Sequence, residues 1–364
     1  MKLSPPARTG SRQPDIEALR AIAALMVVTS HLPWYQYFPG GVWPGAPEWL
    51  SPRAPLLGIG GLAVVLFLVI SGAGLCRLLV LGEPRYVTYA RKRLWKLFSV
   101  YWVAAVLGLI IAVSLGLLHL AQTGTVIVTL LGLGFVSART WAAVYPSWWY
   151  IAIAWQVVAV MPLLVLGMRR LRPPGVLALT ALVVLASCFA VPAAGMAYAE
   201  KGLIVSRALE VLGGAFLALE LWPEVRERLG VSRLEAGLLV LATIGCLLAL
   251  LVGGMGGRWL YRAAGLLIVA VVVYWRPLER SGTVRAARRA AWAGGLSFAV
   301  YLLHEPVMLV VRRVTGAPER IPLALLAVVS LVLVIMVAVL FQQGLDVFRA
   351  RTARKPTRDK GAVE

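Results

Sequence analysis

Ten long apolar runs, near 16–34, 56–81, 95–118, 148–167, 175–194, 203–221, 235–254, 259–275, 291–313 and 321–344, leave this chain few folds to choose from. Each is close to the roughly 17–25 residues that carry a helix across a bilayer. In hydrocarbon every backbone N–H and C=O must be satisfied within the protein, so only helices or closed barrels span it, and these runs are too long for barrel strands. An all-α, polytopic membrane helical bundle follows. The composition agrees, since 60% of residues are hydrophobic and only 14% charged, against about 25% charged in soluble domains. The formal net charge of +20 would suggest nucleic acid as partner in a soluble protein. In a membrane protein it is expected to gather in cytoplasmic loops instead, and no nucleic-acid partner is implied.

An eleventh run, Val126 to Val136, is short and contains two glycines. If it does not cross and the N-terminus is cytoplasmic, the inside segments are 1–15, 82–96, 168–174, 222–234, 276–290 and 345–364. Together they hold 25 of the 36 Lys+Arg. The other eleven are divided between the spans, where Arg20, Arg77 and Arg207 are among them, and the outside segments. If the short run crossed, the later basic clusters would all invert, against the positive-inside rule. The sequence therefore predicts ten transmembrane helices, one short re-entrant or interfacial segment, and both termini in the cytoplasm. Residues 1–15 read as a cytoplasmic N-terminal segment, 16–344 as one membrane domain, and 345–364 as a basic, disordered cytoplasmic tail. Met1 to Asp15 lacks the pattern of a removable signal peptide, so the first span is expected to stay. The 33–55 loop carries Trp34, Tyr35, Tyr37, Trp43 and Trp49, which suit an interfacial belt. Cys76, Cys188 and Cys246 lie in apolar stretches without metal-ligand spacing, and neither disulfide nor metal is expected.

Titratable side chains within spans are costly unless they face the bundle interior, so each is a candidate site. Arg20 and His31 are 11 positions apart, which at about 100° per residue puts them within about 20° of one helix face and roughly 16 Å apart in depth. An arginine near the cytoplasm can hold an anion through its planar fork. A histidine deeper in the outer half can take a proton from a hydroxyl. The plainer alternative is that Arg20 snorkels to headgroups and His31 bonds a neighbouring helix. His304 lies at comparable depth, followed by Glu305 and Pro306, and could orient a substrate beside His31. His119 sits at the outer end of the third span and reads as an interface residue. Arg91, Arg93 and Lys96 form a basic cluster leading into a span, suited to phosphates or to anionic lipid. No nucleotide loop, Ser-His-Asp order or HExxH is present, so ATPase, serine-hydrolase and zincin readings have no support.

The segment Asp15-Ile-Glu-Ala-Leu-Arg20 through His31, an Arg-x10-His pattern, resembles the opening of the membrane acyltransferase-3 family. Further matches follow in family order: Phe67-Leu-Val-Ile-Ser71-Gly72; Arg91-Lys-Arg-Leu-Trp-Lys96 leading to Tyr101-Trp102; Trp149-Tyr150 through Gln156 to Pro162; Arg207-Ala-Leu-Glu210 with Gly213; and Leu296 through Tyr301 and His304 to Pro306. The resemblance covers roughly Asp15 to Gln343. It implies an integral-membrane O-acyltransferase of the plasma membrane that moves an acyl group, often acetyl, from cytoplasmic acyl-CoA to a hydroxyl of a carbohydrate or lipid-linked acceptor. Acyl-CoA would be a co-substrate, with no tightly bound cofactor, and its phosphates would meet Arg20, Arg91, Arg93 and Lys96. His31 would act as general base; an acyl-enzyme on His31 or on a hydroxyl such as Ser71 is the other mechanism. Tyr150, Gln156, Tyr301, His304 and Glu210 are candidates for orienting substrate. Two departures stand out. Ala154 replaces the family's usual acidic residue, so its part is either missing or supplied elsewhere, for example by Glu210 or Glu305, and Lys96 replaces an arginine. A carrier or flippase of a glycan or lipid intermediate, or an inactive scaffold of the same fold, would share these features.

Overall fold

A computed structural model describes residues 13–31, 55–82, 86–116, 123–133, 145–193, 204–252, 258–315 and 323–353. Among these residues the structure is helical throughout, with no strand. The helices are α1 (Pro14–Ser30), α2 (Pro55–Leu81), α3 (Tyr86–Ser114), α4 (Thr123–Leu130), α5 (Trp149–Ala193), α6 (Ala208–Leu221), α7 (Pro223–Leu229), α8 (Arg233–Val252), α9 (Arg258–Trp275), α10 (Pro277–Ser281), α11 (Val284–Thr315) and α12 (Leu323–Ala353). Among the described residues, seven stretches are long and apolar enough to cross a membrane: Ile59–Leu81, Val87–Ser114, Trp149–Ala190, Arg233–Val252, Trp259–Ser281, Val284–Thr315 and Leu325–Phe348. This is a multi-pass membrane protein.

The difference from ten has local causes. The expected runs 148–167 and 175–194 join into α5, whose backbone turns at Arg172 with φ 60° and ψ 158°, ahead of Pro173 and Pro174. Two other expected spans are short, α1 at 17 residues and α6 at 14. The first run was expected to reach residue 34, but its helix stops at Ser30 and His31 caps it. In the ambiguous run, α4 has eight residues, about 12 Å of helix against a hydrocarbon core of about 30 Å. The last helix runs on to Ala353, into the basic segment. His119, the aromatic residues Trp34 to Trp49, residues 134–136 and residues 354–364 lie outside the described residues.

The core lies where α1 packs against α11 and α2, and where α2 packs against α6 and α9. Small residues make these approaches close. A Cβ on Gly294 of α11 would collide with the Glu17 backbone of α1, and one on Gly72 of α2 would collide with the Val211 carbonyl of α6. In lipid, where burying apolar surface gains little, such close backbone packing is what holds helices together. Exposed apolar side chains surround the bundle, among them Ile110, Leu163, Leu182, Leu241 and Leu340. That surface suits lipid as solvent.

Candidate functional site

Pro306 lies inside α11 and has no N–H, so the carbonyl four residues earlier, Leu302, has no helical donor. The indole of Trp148 supplies one, donating to Leu302 O at 3.0 Å. This contact docks the 3₁₀ turn Pro146–Trp148 on α11. The Tyr301 hydroxyl adds a hydrogen bond to the Ser147 carbonyl. On the other side, Tyr145 donates to Gly108 O of α3 at 2.8 Å. Burial, with the Glu305 charge adding to it, pushes the Tyr145 phenol above its ordinary value, so it remains a neutral donor.

The docked turn then holds a carboxylate. Ser147 donates to Glu305 Oε2 from its backbone N at 3.1 Å and its Oγ at 2.6 Å. Glu305 is 5% exposed, and its other oxygen, Oε1, faces His31 Nε2 at 3.9 Å. His31 curls back over the end of α1 so that Nδ1 lies 2.9 Å from Val27 O. A carbonyl can only accept, so Nδ1 carries the hydrogen, and in the neutral ring Nε2 then presents its lone pair. His304 is arranged the same way. Its Nδ1 lies 2.6 Å from Tyr301 O, and its buried Nε2 has no hydrogen-bond partner. The two imidazole rings stand 5.1 Å apart, near edge to face.

Aromatic contacts extend the site along the interior. Tyr301 is 6.0 Å from His304, Tyr150 is 5.5 Å from Tyr301, and Phe67 of α2 touches both tyrosines. Ser71 and Arg20 both lie near enough to the Tyr150 phenol to act on it electrostatically. Arg20 is held by Glu17 at 3.1 Å. Ring contacts thus run from Tyr150 through Tyr301 and His304 to His31.

Of the sequence candidates, His31, His304, Tyr301, Tyr150, Ser71 and Arg20 come together in this way. Gln156 does not join them: its amide caps the turn before α6, accepting from Ile204 N at 3.0 Å and donating to Ala152 O at 2.8 Å. Glu210 is also elsewhere. Its Oε1 pairs with Arg207 at 3.1 Å and Arg262 at 3.4 Å in a buried triad. Trp149 lies against Arg207 and Trp259 against Arg262. The acidic residue beside His31 is therefore Glu305. Arg91 and Lys96 are exposed and Arg93 half-buried near the start of α3. Sequence reasoning missed Ser147 and Trp148. Their signal was the aromatic-rich turn Tyr145-Pro-Ser-Trp-Trp-Tyr150, but nothing local says that it docks more than 150 residues away.

Comparison with known proteins gives one family. The model for acyltransferase-3, described as an acyltransferase domain, matches residues 13–342. No curated protein and no solved structure matches.

Proposed function

The chain belongs to the acyltransferase-3 family, whose match takes in every residue of the site just described, and from that premise we propose that this membrane acyltransferase moves an acyl group, acetyl in the simplest case, from acyl-CoA to a hydroxyl of a carbohydrate or lipid-linked acceptor. In this reading the bundle crosses the plasma membrane ten times, with α1 and α6 as short spans, α5 crossing twice and both termini cytoplasmic. The observation that carries the proposal is the meeting of His31 Nε2 with Glu305 Oε1, on the helix that also carries Arg20.

The chemistry divides along that helix. The phosphates of acyl-CoA meet Arg20 and the basic residues Arg91, Arg93 and Lys96, guanidinium and ammonium groups suited to phosphate oxygens. At the other end the acceptor hydroxyl donates its proton to His31 Nε2 while its oxygen attacks the thioester carbonyl. The new C–O bond forms, the C–S bond breaks, and the thiolate of CoA leaves and takes up a proton. Glu305 faces the nitrogen that gains the proton, so it stabilises the imidazolium as it forms. Tyr150, Tyr301 and His304 line the space in which the carbonyl oxygen becomes an oxyanion. Gln156 supports the wall and Ser71 holds Tyr150; neither is given a proton to move.

The test is transfer of a labelled acyl group by purified protein to cell-surface glycans and lipids, with His31→Ala as the comparison. Loss of transfer in a folded variant supports the reading, and undiminished transfer sinks it. Trapping of label on the protein itself would favour an acyl-enzyme instead. A carrier would move its cargo without consuming acyl-CoA, and an inactive scaffold would gain no thermal stability from it.

A further inference from the structure

Three acceptor atoms converge between α1 and α11 with no donor among them. His31, His304 and Glu305 each bring one ring nitrogen or carboxylate oxygen within 4.8 Å of the others, and His31 Nε2 faces Glu305 Oε1 at 3.9 Å. Both Nδ1 atoms lie against backbone carbonyls, so in the neutral rings both Nε2 atoms carry lone pairs. Among the described residues no lysine or arginine pairs with Glu305, and the titratable group facing it across α1 is His31. Such a cluster is electrostatically incomplete until something positive sits in it.

We propose that this cluster is a binding site for a first-row divalent metal ion, Zn2+ in particular, ligated by His31 Nε2, His304 Nε2 and Glu305 Oε1. Two imidazoles and one carboxylate are a donor set that Zn2+ accepts, with bonds of about 2.0–2.2 Å and an open fourth position. Tetrahedral ligation at those lengths separates ligand atoms by roughly 3.3 Å, so small side-chain rotations bring the present spacing into range. The outer contacts are already those that metal ligands require: each imidazole donates its other N–H to a carbonyl, and Ser147 donates twice to the carboxylate oxygen facing away. Glu305 contributes the negative charge that an otherwise neutral pair of histidines lacks. The site is also reachable, because the His31 side chain is 27% exposed. No spacing in the sequence signals it, because His31 and Glu305 come from opposite ends of the chain.

Occupancy has a consequence for transfer that rests on the function proposed above. The lone pair on His31 that binds the ion is the one that would accept the hydroxyl proton, so Zn2+ inhibits transfer and a chelator restores it. The binding itself depends on no assumption about the reaction.

The experiment uses the full chain in detergent, purified without a polyhistidine tag, stripped with a chelator and titrated with Co2+ and Zn2+. One ion per chain is expected, with a Co2+ visible spectrum of nitrogen and oxygen ligands and no thiolate charge-transfer band. Affinity should fall at least tenfold in His304→Ala and in Glu305→Gln, and about tenfold in Ser147→Ala, which removes only an outer contact. Replacing Cys76, Cys188 and Cys246 together with alanine should leave it unchanged. Wild-type protein that binds no Co2+ overturns the proposal, as does binding that survives His304→Ala or is lost with the cysteines. Should His304→Ala fail to fold, Ser147→Ala and the wild-type spectrum decide. If the ion binds as expected and no acyl transfer is found, the functional reading fails and the metal site stands. Transfer that Zn2+ does not slow overturns the inhibitory consequence.

Discussion

Among the described residues, the buried polar clusters around Glu210 and Glu305 are built on opposite plans. Around Glu210, two guanidiniums share one carboxylate, the Ser206 carbonyl accepts from Arg262 at 2.6 Å, and indoles flank both cations. Opposite charges are in contact there, and all three residues are at most 3% exposed. Around Glu305, the facing atoms are all acceptors, and one member, His31, is partly open to the surroundings. A buried charge with its counter-charge in contact ties helices together. Lone pairs held in place without a donor are available to a proton, an ion or a substrate. The comparison separates polar groups that hold the fold from polar groups that can do chemistry, although burial alone makes them look alike.

The largest expected effect comes from the open cluster. His31→Ala should lower transfer by about 10²–10⁴-fold, the usual contribution of a general base, with little change in thermal unfolding. Acyl transfer measured beside a melting curve checks both halves. The closed cluster should respond the other way. Glu210→Ala leaves two buried guanidiniums uncompensated and should cost about 3–5 kcal/mol of stability, seen as a lower Tm and poor recovery from membranes. If Glu210→Ala melted like the wild type and lost only activity, the contrast between the clusters would collapse.

A smaller effect sharpens the same contrast. Ser147→Ala removes one of two hydrogen bonds to the Glu305 carboxylate, a loss of about 1.5–3 kcal/mol for a charged acceptor. It should lower kcat by about tenfold or more and leave the KM for acyl-CoA unchanged, with Ser147→Thr partly restoring the rate. The smallest effect belongs to Lys96, which is exposed near the start of α3. Lys96→Ala should raise the KM for acyl-CoA by only a few fold without altering kcat, and Lys96→Arg should not raise it, as steady-state kinetics at varied acyl-CoA would show. Exposed charges contribute little because water and salt screen them.

Much of the bundle was legible because hydropathy is a local property. The long helices α2, α3, α8, α9, α11 and α12 fall on the apolar runs, and the turn at Arg172 falls in a basic segment expected to leave the membrane. The end of α1 was harder to read, since the run was expected to reach residue 34 while the helix stops at Ser30. At the site, the Arg20 and His31 stripe was visible as a spacing on one helix. The partner of His31 was less so: Glu210 and Glu305 were equal candidates for the missing acidic role, and only packing put Glu305 at 3.9 Å and Glu210 with two arginines.

The sequence by itself determined the solvent of the chain, the approximate helices and the two chemistries carried by α1, because each depends on composition or on the period of a single helix. Only the tertiary structure decided which carboxylate meets His31, that the carbonyl released by Pro306 is taken by Trp148, and that Ser147 thereby holds Glu305. These contacts join residues more than 150 positions apart, and such pairings depend on how helices cross and which glycines let them approach, geometry that no local pattern records.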